Sequence, residues 1–247
     1  MAEIIPAVMP KNYEDLKNKV ALVRGHVQTV QIDLMDGKFV RGRTWPFADG
    51  DIISSSDAHL LRIMGEQEGM PFWEEIDFEL DLMVSDAVTN FDSYLKLGPK
   101  RLIFHIEAET SQINTDKELI NADKLQKFKE FLEGIDLYIR ENTQIGVAIN
   151  TTTPIEKIFP LIPFIDFVQC MGIEKIGFQG EPFDERVLDQ IKSLRKKFPE
   201  LIISVDGGVN LDTAPILKDA GANRLVVGSA IFQSFDIKEA IDELENI

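Results

Sequence analysis

The chain of 247 residues has one cysteine, Cys170, so no internal disulfide can form. Basic residues are in deficit: 26 Lys and Arg stand against 42 Asp and Glu, giving a formal charge of −16. That balance argues against a surface for nucleic acid or for an anionic membrane, although a small positive spot for a phosphate can persist in an acidic protein. No apolar run is long enough to span a bilayer. The N-terminus enters a strand-like stretch without a charged region followed by an apolar one, so the expected location is cytoplasmic. No Gly/Ser-rich linker, low-complexity tract or composition break divides the chain. The first-turn G-x-G-x-x-G of dinucleotide-binding sheets is also missing, which leaves an open doubly wound sheet as the second choice of fold.

What is present is alternation. Short apolar runs at Ile4 to Met9, Thr29 to Leu34, Ile76 to Met83, Arg101 to Ile106, Gln144 to Ile149, Phe167 to Met171, Leu201 to Val205 and Arg224 to Val227 read as eight strands. Amphipathic stretches at Asn12 to Val23, Asp86 to Leu97, Asp116 to Arg140, Pro182 to Lys197, Asp212 to Ala220 and Asp236 to Glu245 read as helices, several opening on Asn, Asp or Pro. Eight βα units in this length predict a single (β/α)8 TIM barrel over residues 1–247, of α/β class. Residues 41–73 break the spacing, with an Asp49-Gly50 turn and one helix near Ala58 to Met64. This extended loop leaves from the catalytic face, as a lid or as a surface decoration.

Two turns carry chemistry. Val205-Asp206-Gly207-Gly208 ends one strand with a carboxylate and two glycines, and Gly228-Ser229 follows one strand later ahead of a helix. Consecutive βα turns of this kind expose backbone N–H groups to a phosphate. Cys170, flanked by Gln169 and Met171, reads as a buried small residue with nothing beside it to activate the thiol. His105 ends a strand, where a lone histidine is more often structural. Lys38, Arg41 and Arg43 read as a solvated basic turn, with phosphate contact as the alternative.

The order Gln31-Ile32-Asp33-Leu34-Met35-Asp36-Gly37-Lys38-Phe39-Val40, Asp81-Leu82-Met83, His105-Ile106-Glu107-Ala108, Asn150 to Pro154, Asp206-Gly207-Gly208 and Gly228-Ser229-Ala230-Ile231-Phe232 resembles ribulose-phosphate 3-epimerases along nearly the whole chain. The resemblance implies a ribulose-phosphate-binding barrel that inverts C3 of a pentulose 5-phosphate through an enediolate, as an isomerase of carbohydrate metabolism in pentose phosphate chemistry. It implies Asp33 and Asp206 as the acid/base pair, Met35, Met83 and Met171 around the intermediate, and Gly177, Gly180, Gly207, Gly208, Gly228 and Ser229 at the substrate and its phosphate. The family's metal is held by two histidines and the two aspartates; here the set reads Gln31, Asp33, Asp81 and Asp206. An amide and three carboxylates favour Mg2+ or Mn2+ over Zn2+, or no metal at all. Ala7 stands where the resemblance expects serine, and Gly177-Phe178-Gln179-Gly180-Glu181 differs from the family's Gly-Phe-Gly-Gly-Gln by its charged end.

Two alternatives are carried beside the epimerase. One is a sugar-phosphate lyase or decarboxylase-like barrel; the orotidine-phosphate decarboxylase relatives use Asp-x-Lys-x-x-Asp on the third strand, but Asp81, Met83 and Asp86 lack the lysine. The other is a non-catalytic sugar-phosphate-binding paralogue. The expected partner is a small phosphorylated sugar, with no nucleic acid and no membrane, and a homo-oligomer is open.

Overall fold

A computed structural model describes residues 2–47, 50–111 and 120–247. Eight parallel strands close a barrel in the order β1 to β8: Glu3–Val8, Thr29–Met35, Asp77–Met83, Arg101–His105, Gln144–Ile149, Phe167–Met171, Ile202–Asp206 and Arg224–Val227. The period-2 alternation of strands explains the two cores. Ile32, Leu34, Leu80, Leu82, Phe104, Val147, Val168, Cys170, Val205 and Leu225 face outward into the layer between sheet and helices. Their neighbours Ile5, Ala7, Ile103, Ala148, Phe167, Met171 and Val226 form smaller apolar clusters apart from that layer, on the strands' alternate face, which lines the barrel. Cys170 is buried, and burial pushes its thiol up to about 12.

The helices are α1 (Tyr13–Val23), α2 (Ala58–Met64), α3 (Phe91–Leu95), α4 (Ile106–Thr110), α5 (Ala122–Glu133), α6 (Leu137–Asn142), α7 (Arg186–Lys197), α8 (Ala214–Ala220), α9 (Ser229–Phe232) and α10 (Ile237–Glu245). Caps set several starts: Asn12, Asp57, Asn121, Asp136 and Asp236 each accept a hydrogen bond from a first-turn N–H. The helix expected over Asp86 to Leu97 shrinks to α3, because the Asp86 carboxylate takes the Tyr94 hydroxyl at 2.9 Å and the Asn90 amide at 2.5 Å and holds the preceding turn. The one expected over Asp116 to Arg140 is split, since Gly134 caps α5 and Asp136 starts α6; its first residues, 116–119, lie outside the described residues. Between β5 and β6, where no helix is predicted, two 3-10 helices form at Ile155–Lys157 and Phe159–Phe164, the second containing Pro160 and Pro163.

Within residues 41–73, α2 forms over the predicted span. The Asp49 half of the predicted turn lies outside the described residues. Trp45, Phe47, Ile52, Leu60, Ile63 and Met70 join the main core, the Tyr13 and His59 rings stack at 3.8 Å, and Glu68 accepts from Tyr13 and Arg62. The segment therefore packs against α1 on the barrel's flank, and none of its described residues lines the cavity at the strands' C-terminal ends. This favours the decoration over the lid.

The N-terminal floor of the barrel is an ion network that no local pattern in the sequence announces. Arg101 binds Glu79 at 2.9 Å and Glu3 at 3.0 Å, and Arg224 binds Glu3 at 3.1 Å, with Glu79 almost wholly buried. Removing one partner leaves a charge buried without compensation, which costs far more than the pair contributes net. Arg101→Met is therefore expected to lower unfolding free energy by about 3–5 kcal/mol, read by urea denaturation; an unchanged midpoint would show that the floor charges are solvated.

Candidate active site

Asp33 occupies the second-last inward position of β2, and Thr44 pins that strand end. The Thr44 hydroxyl donates to the Asp33 carbonyl at 2.6 Å and accepts from the Met35 N–H at 2.9 Å. Beyond it, the Asp36 carboxylate accepts the N–H groups of Lys38, Phe39 and Ser85 and the Ser85 hydroxyl, at 2.7 to 3.2 Å. Asp36 thus locks the β2 and β3 turns together, and these bonds, outweighing burial, hold its carboxyl below the usual range. A similar clamp joins two other motifs: the buried Glu107 accepts the Asn150 N–H at 2.8 Å and the Thr153 hydroxyl at 2.6 Å. The His105-to-Ala108 and Asn150-to-Pro154 segments are interlocked at the C-terminal ends of β4 and β5, beside a neighbouring cleft.

Asp206 ends β7, and Gly207 and Gly208 follow at φ +99° and +68°, a left-handed backbone suited to glycine. A Cβ on Gly207 would lie 2.7 Å from Ile173, so the turn is also sterically closed to larger residues. Gly228 precedes α9, whose leading N–H groups lack partners within the helix. These turns and the loop after β6 enclose a cavity of about 540 Å3. It is lined by Asp33, Asp206, Met83, Met171, Gly177, Gly180, Gly207, Gly208, Gly228 and Ser229, and also by Met9, Gln179, Glu181 and Gln233. Among the described residues lining it there is no Lys, Arg or His. Lys38 instead pairs with Asp51 at 2.9 Å, Arg43 lies over Gly37, and Arg41 borders a neighbouring cleft. Met35 is set back, packed with Val40 and Met83 and against Gly42.

At the cavity floor lies a largely buried polar cluster. Carboxylate oxygens of Asp33, Asp81 and Asp206 come within 4.8 Å of one another. One nitrogen, Gln31 Nε2, donates to Asp33 Oδ1 and Asp206 Oδ2, both at 2.8 Å. Asp81 meets His105 Nε2 at 2.8 Å, both fully buried. Gln169 Nε2 stands 3.5 Å from both Asp81 and Asp206. Neither Gln31 nor Asp81 lines the cavity; they lie beneath the two aspartates that do.

Burial, then the charges of Asp206 and Asp81, push the Asp33 carboxyl well above its ordinary range, with the Gln31 bond opposing. Burial and Asp81 raise Asp206 to about 7, opposed by Gln31 and His105. Burial disfavours an imidazolium at His105, but the facing Asp81 carboxylate outweighs it and holds the ring above the usual histidine range. His105 is thus part of this cluster rather than a remote structural histidine. What signal it had lay in its place at a strand's C-terminal end; nothing in the sequence pairs it with Asp81.

The donor set suits a hard divalent cation. Three carboxylates converge, and the Gln31 amide oxygen is buried without a partner. As placed, Gln31 offers nitrogen to the aspartates; ligation requires the amide turned about its axis, bringing in the oxygen that now lacks a partner.

The sequence matches the ribulose-phosphate 3 epimerase family over residues 3–232. It is 29% identical to the ribulose-phosphate 3-epimerase of Bacillus subtilis, covering 99% of this chain and 98% of that protein. It is 27% identical to that of Eremothecium gossypii, over 98% and 91% respectively. Among solved structures, KGPDC from Streptococcus mutans superposes with a TM-score of 0.64 at 14% identity, covering 100% of this chain and 99% of that one. A 3-hexulose-6-phosphate synthase superposes at 0.61 and 16%, covering 99% and 98%. These last two share the fold.

The raised carboxyls have a consequence for stability. A carboxyl whose folded pKa exceeds its unfolded value holds a proton in the folded state that the unfolded chain has released, so stability falls as pH rises between the two values. For Asp206 that window runs from the model-carboxylate range, about 3.9, to about 7. Asp206→Asn is therefore expected to gain melting temperature relative to wild type as pH rises from 4 to 8. A constant difference across that range would contradict the shift.

Proposed function

Since the chain belongs to the ribulose-phosphate 3 epimerase family, we propose that it interconverts ribulose 5-phosphate and xylulose 5-phosphate, or a closely similar ketose phosphate pair, through an enediolate. The observation that carries this is the placement of Asp33 and Asp206. Both border one cavity, from strands three steps apart round the barrel, beside the glycine turns. Inversion next to a carbonyl needs a base on one face of the carbon and an acid on the other. Because burial and neighbouring carboxylates, Asp206 and Asp81 for Asp33 and Asp81 for Asp206, raise both carboxyls in the metal-free protein, the pair keeps a proton near neutral pH and supplies one base and one acid together.

In the forward direction the ionised aspartate removes the C3 proton and the protonated one delivers a proton to the opposite face; the reverse reaction exchanges the roles. Met83 and Met171 wall the cavity with polarizable, weakly hydrated thioethers, which limits water at the enediolate. The Gly207–Gly208 and Gly228–Ser229 turns take the phosphate through backbone N–H groups. Mg2+ or Mn2+, held by Asp33, Asp81, Asp206 and the turned Gln31 amide, would add charge stabilisation to the enediolate. The lyase reading is disfavoured because Met83, the position where that chemistry needs lysine, forms part of the cavity wall. The binding paralogue is disfavoured by the retained aspartate pair.

Wild-type protein supplied with magnesium or manganese is expected to exchange the C3 proton of ribulose 5-phosphate with solvent deuterium and to form the epimer. Asp33→Asn and Asp206→Asn should each lower the rate by at least about a hundredfold, the scale of general acid/base groups. Wild type that binds the sugar phosphate without exchange would leave the binding paralogue as the better account. Elemental analysis of protein purified without added metal should show no stoichiometric zinc, since the donor set is all oxygen; a full equivalent of zinc would contradict the ligand assignment.

A further inference from the structure

Gln179 stands on the loop after β6, between Gly177 and Gly180, and its side chain crosses the cavity to the opposite wall. Its Nε2 lies 3.5 Å from the Ala7 carbonyl at the end of β1, the long limit of a hydrogen bond. The same nitrogen is 2.9 Å from the point a Cβ on Gly228 would occupy, with Cδ and Cγ at 3.4 and 3.7 Å. The amide therefore lies directly against the turn that opens α9. A primary amide nitrogen carries two donors. Only the weak Ala7 contact engages this one among the described residues.

The electrostatics of the cavity give that donor its importance. Asp33, Asp206 and Glu181 line the space, and no described Lys, Arg or His does. A phosphate entering meets carboxylates and no cationic side chain, so its oxygens depend on neutral donors: the backbone N–H groups of the turns, Ser229, and whatever the β6 loop brings across. Gln179 is the uncharged side chain of that loop that reaches the turn. We propose that Gln179 is a substrate-binding residue, whose side-chain amide donates to the phosphate held between the Gly207–Gly208 and Gly228–Ser229 turns and closes the β6 loop over it. This rests on the phosphorylated-sugar reading above and adds to it the residue that supplies affinity without positive charge.

The test uses the full chain and two readouts. Inorganic phosphate binding is measured by isothermal titration and by the shift in melting temperature, and kinetics are measured with ribulose 5-phosphate. A hydrogen bond to a charged group sets the scale, a loss of about tenfold to a hundredfold. Gln179→Leu, which keeps the bulk and loses the donors, should weaken phosphate binding by at least about tenfold and raise KM by a similar factor, with KM rising by more than kcat falls. Gln179→Glu should weaken phosphate binding further than Gln179→Leu at pH 8, by like-charge repulsion. Phosphate affinity in Gln179→Leu equal to that of wild type would overturn the proposal, as would a fall in kcat at unchanged KM. Because the titration needs no turnover, it decides the role of Gln179 even where wild type binds phosphate and fails to epimerise, the result that defeats the catalytic reading alone. Wild type that binds no phosphate would overturn this assignment together with the anion site.

Discussion

Three carboxylates meet at one end of a closed barrel, Asp33 and Asp81 buried and Asp206 half-buried, and their mutual repulsion is the constraint around which the rest of the site is arranged. Like charges this close cannot all remain ionised without help; they share protons, draw in a cation or are bridged by donors. The chain provides the bridges itself. Gln31 spans Asp33 and Asp206 with two bonds from one nitrogen, and His105 takes Asp81. Gln169 stands between Asp81 and Asp206. The Asp33–Asp206 pair is bridged by a neutral amide and, among the described residues, bonded to no cation, and these are the two that border the cavity. A set of charges that would be a fault in a core is held here at the cavity, where burial and neighbouring charge raise the Asp33 and Asp206 carboxyls.

The two ends of the same barrel make a physical contrast. At the floor, Glu3 and Glu79 face Arg101 and Arg224, so acids and bases are matched and the network holds strands together. At the C-terminal end the acids outnumber the cations, and the supporting structure works instead through neutral donors: Thr44 at the end of β2, Ser85 on Asp36 across the β2 and β3 turns, Thr153 on Glu107 under the turn after β5. Barrel enzymes divide stability and chemistry between the two faces in this way. The cavity's glycine turns continue the pattern, since they offer backbone N–H groups and, among the described residues lining the cavity, there is no lysine or arginine.

The strands were legible because each is a short apolar run set between amphipathic helical stretches; all eight appear, with ends shifted by no more than one residue. The glycine turns were legible as turns, since paired glycines after Asp206 suit the left-handed backbone found at Gly207 and Gly208. Helix extent was less so. Asp86 was read as a helix opener, but its side chain is committed to Tyr94 and Asn90, and Gly134 and Asp136 end one helix and begin another inside a continuous amphipathic pattern. The charge network was not legible, because the partners lie far apart in sequence. Nothing local tells that Gln31 bridges residues 33 and 206, that His105 meets Asp81, or that Gln179 crosses to Gly228. Met35 is a strand-end methionine at the inward register whose side chain turns toward Gly42 and does not line the cavity.

The central claim is that the Asp33–Asp206 pair retains a proton near neutral pH. A carbon-13 NMR titration of the aspartate side-chain carboxyls in the intact, metal-free protein reads that proton, with Asp33→Asn and Asp206→Asn used to assign the signals. Asp206 is expected to titrate near pH 7, and Asp33, raised by the Asp206 charge, is expected to titrate lower in Asp206→Asn than in wild type. Both carboxyls titrating within the ordinary aspartate range, at about pH 4, would contradict it.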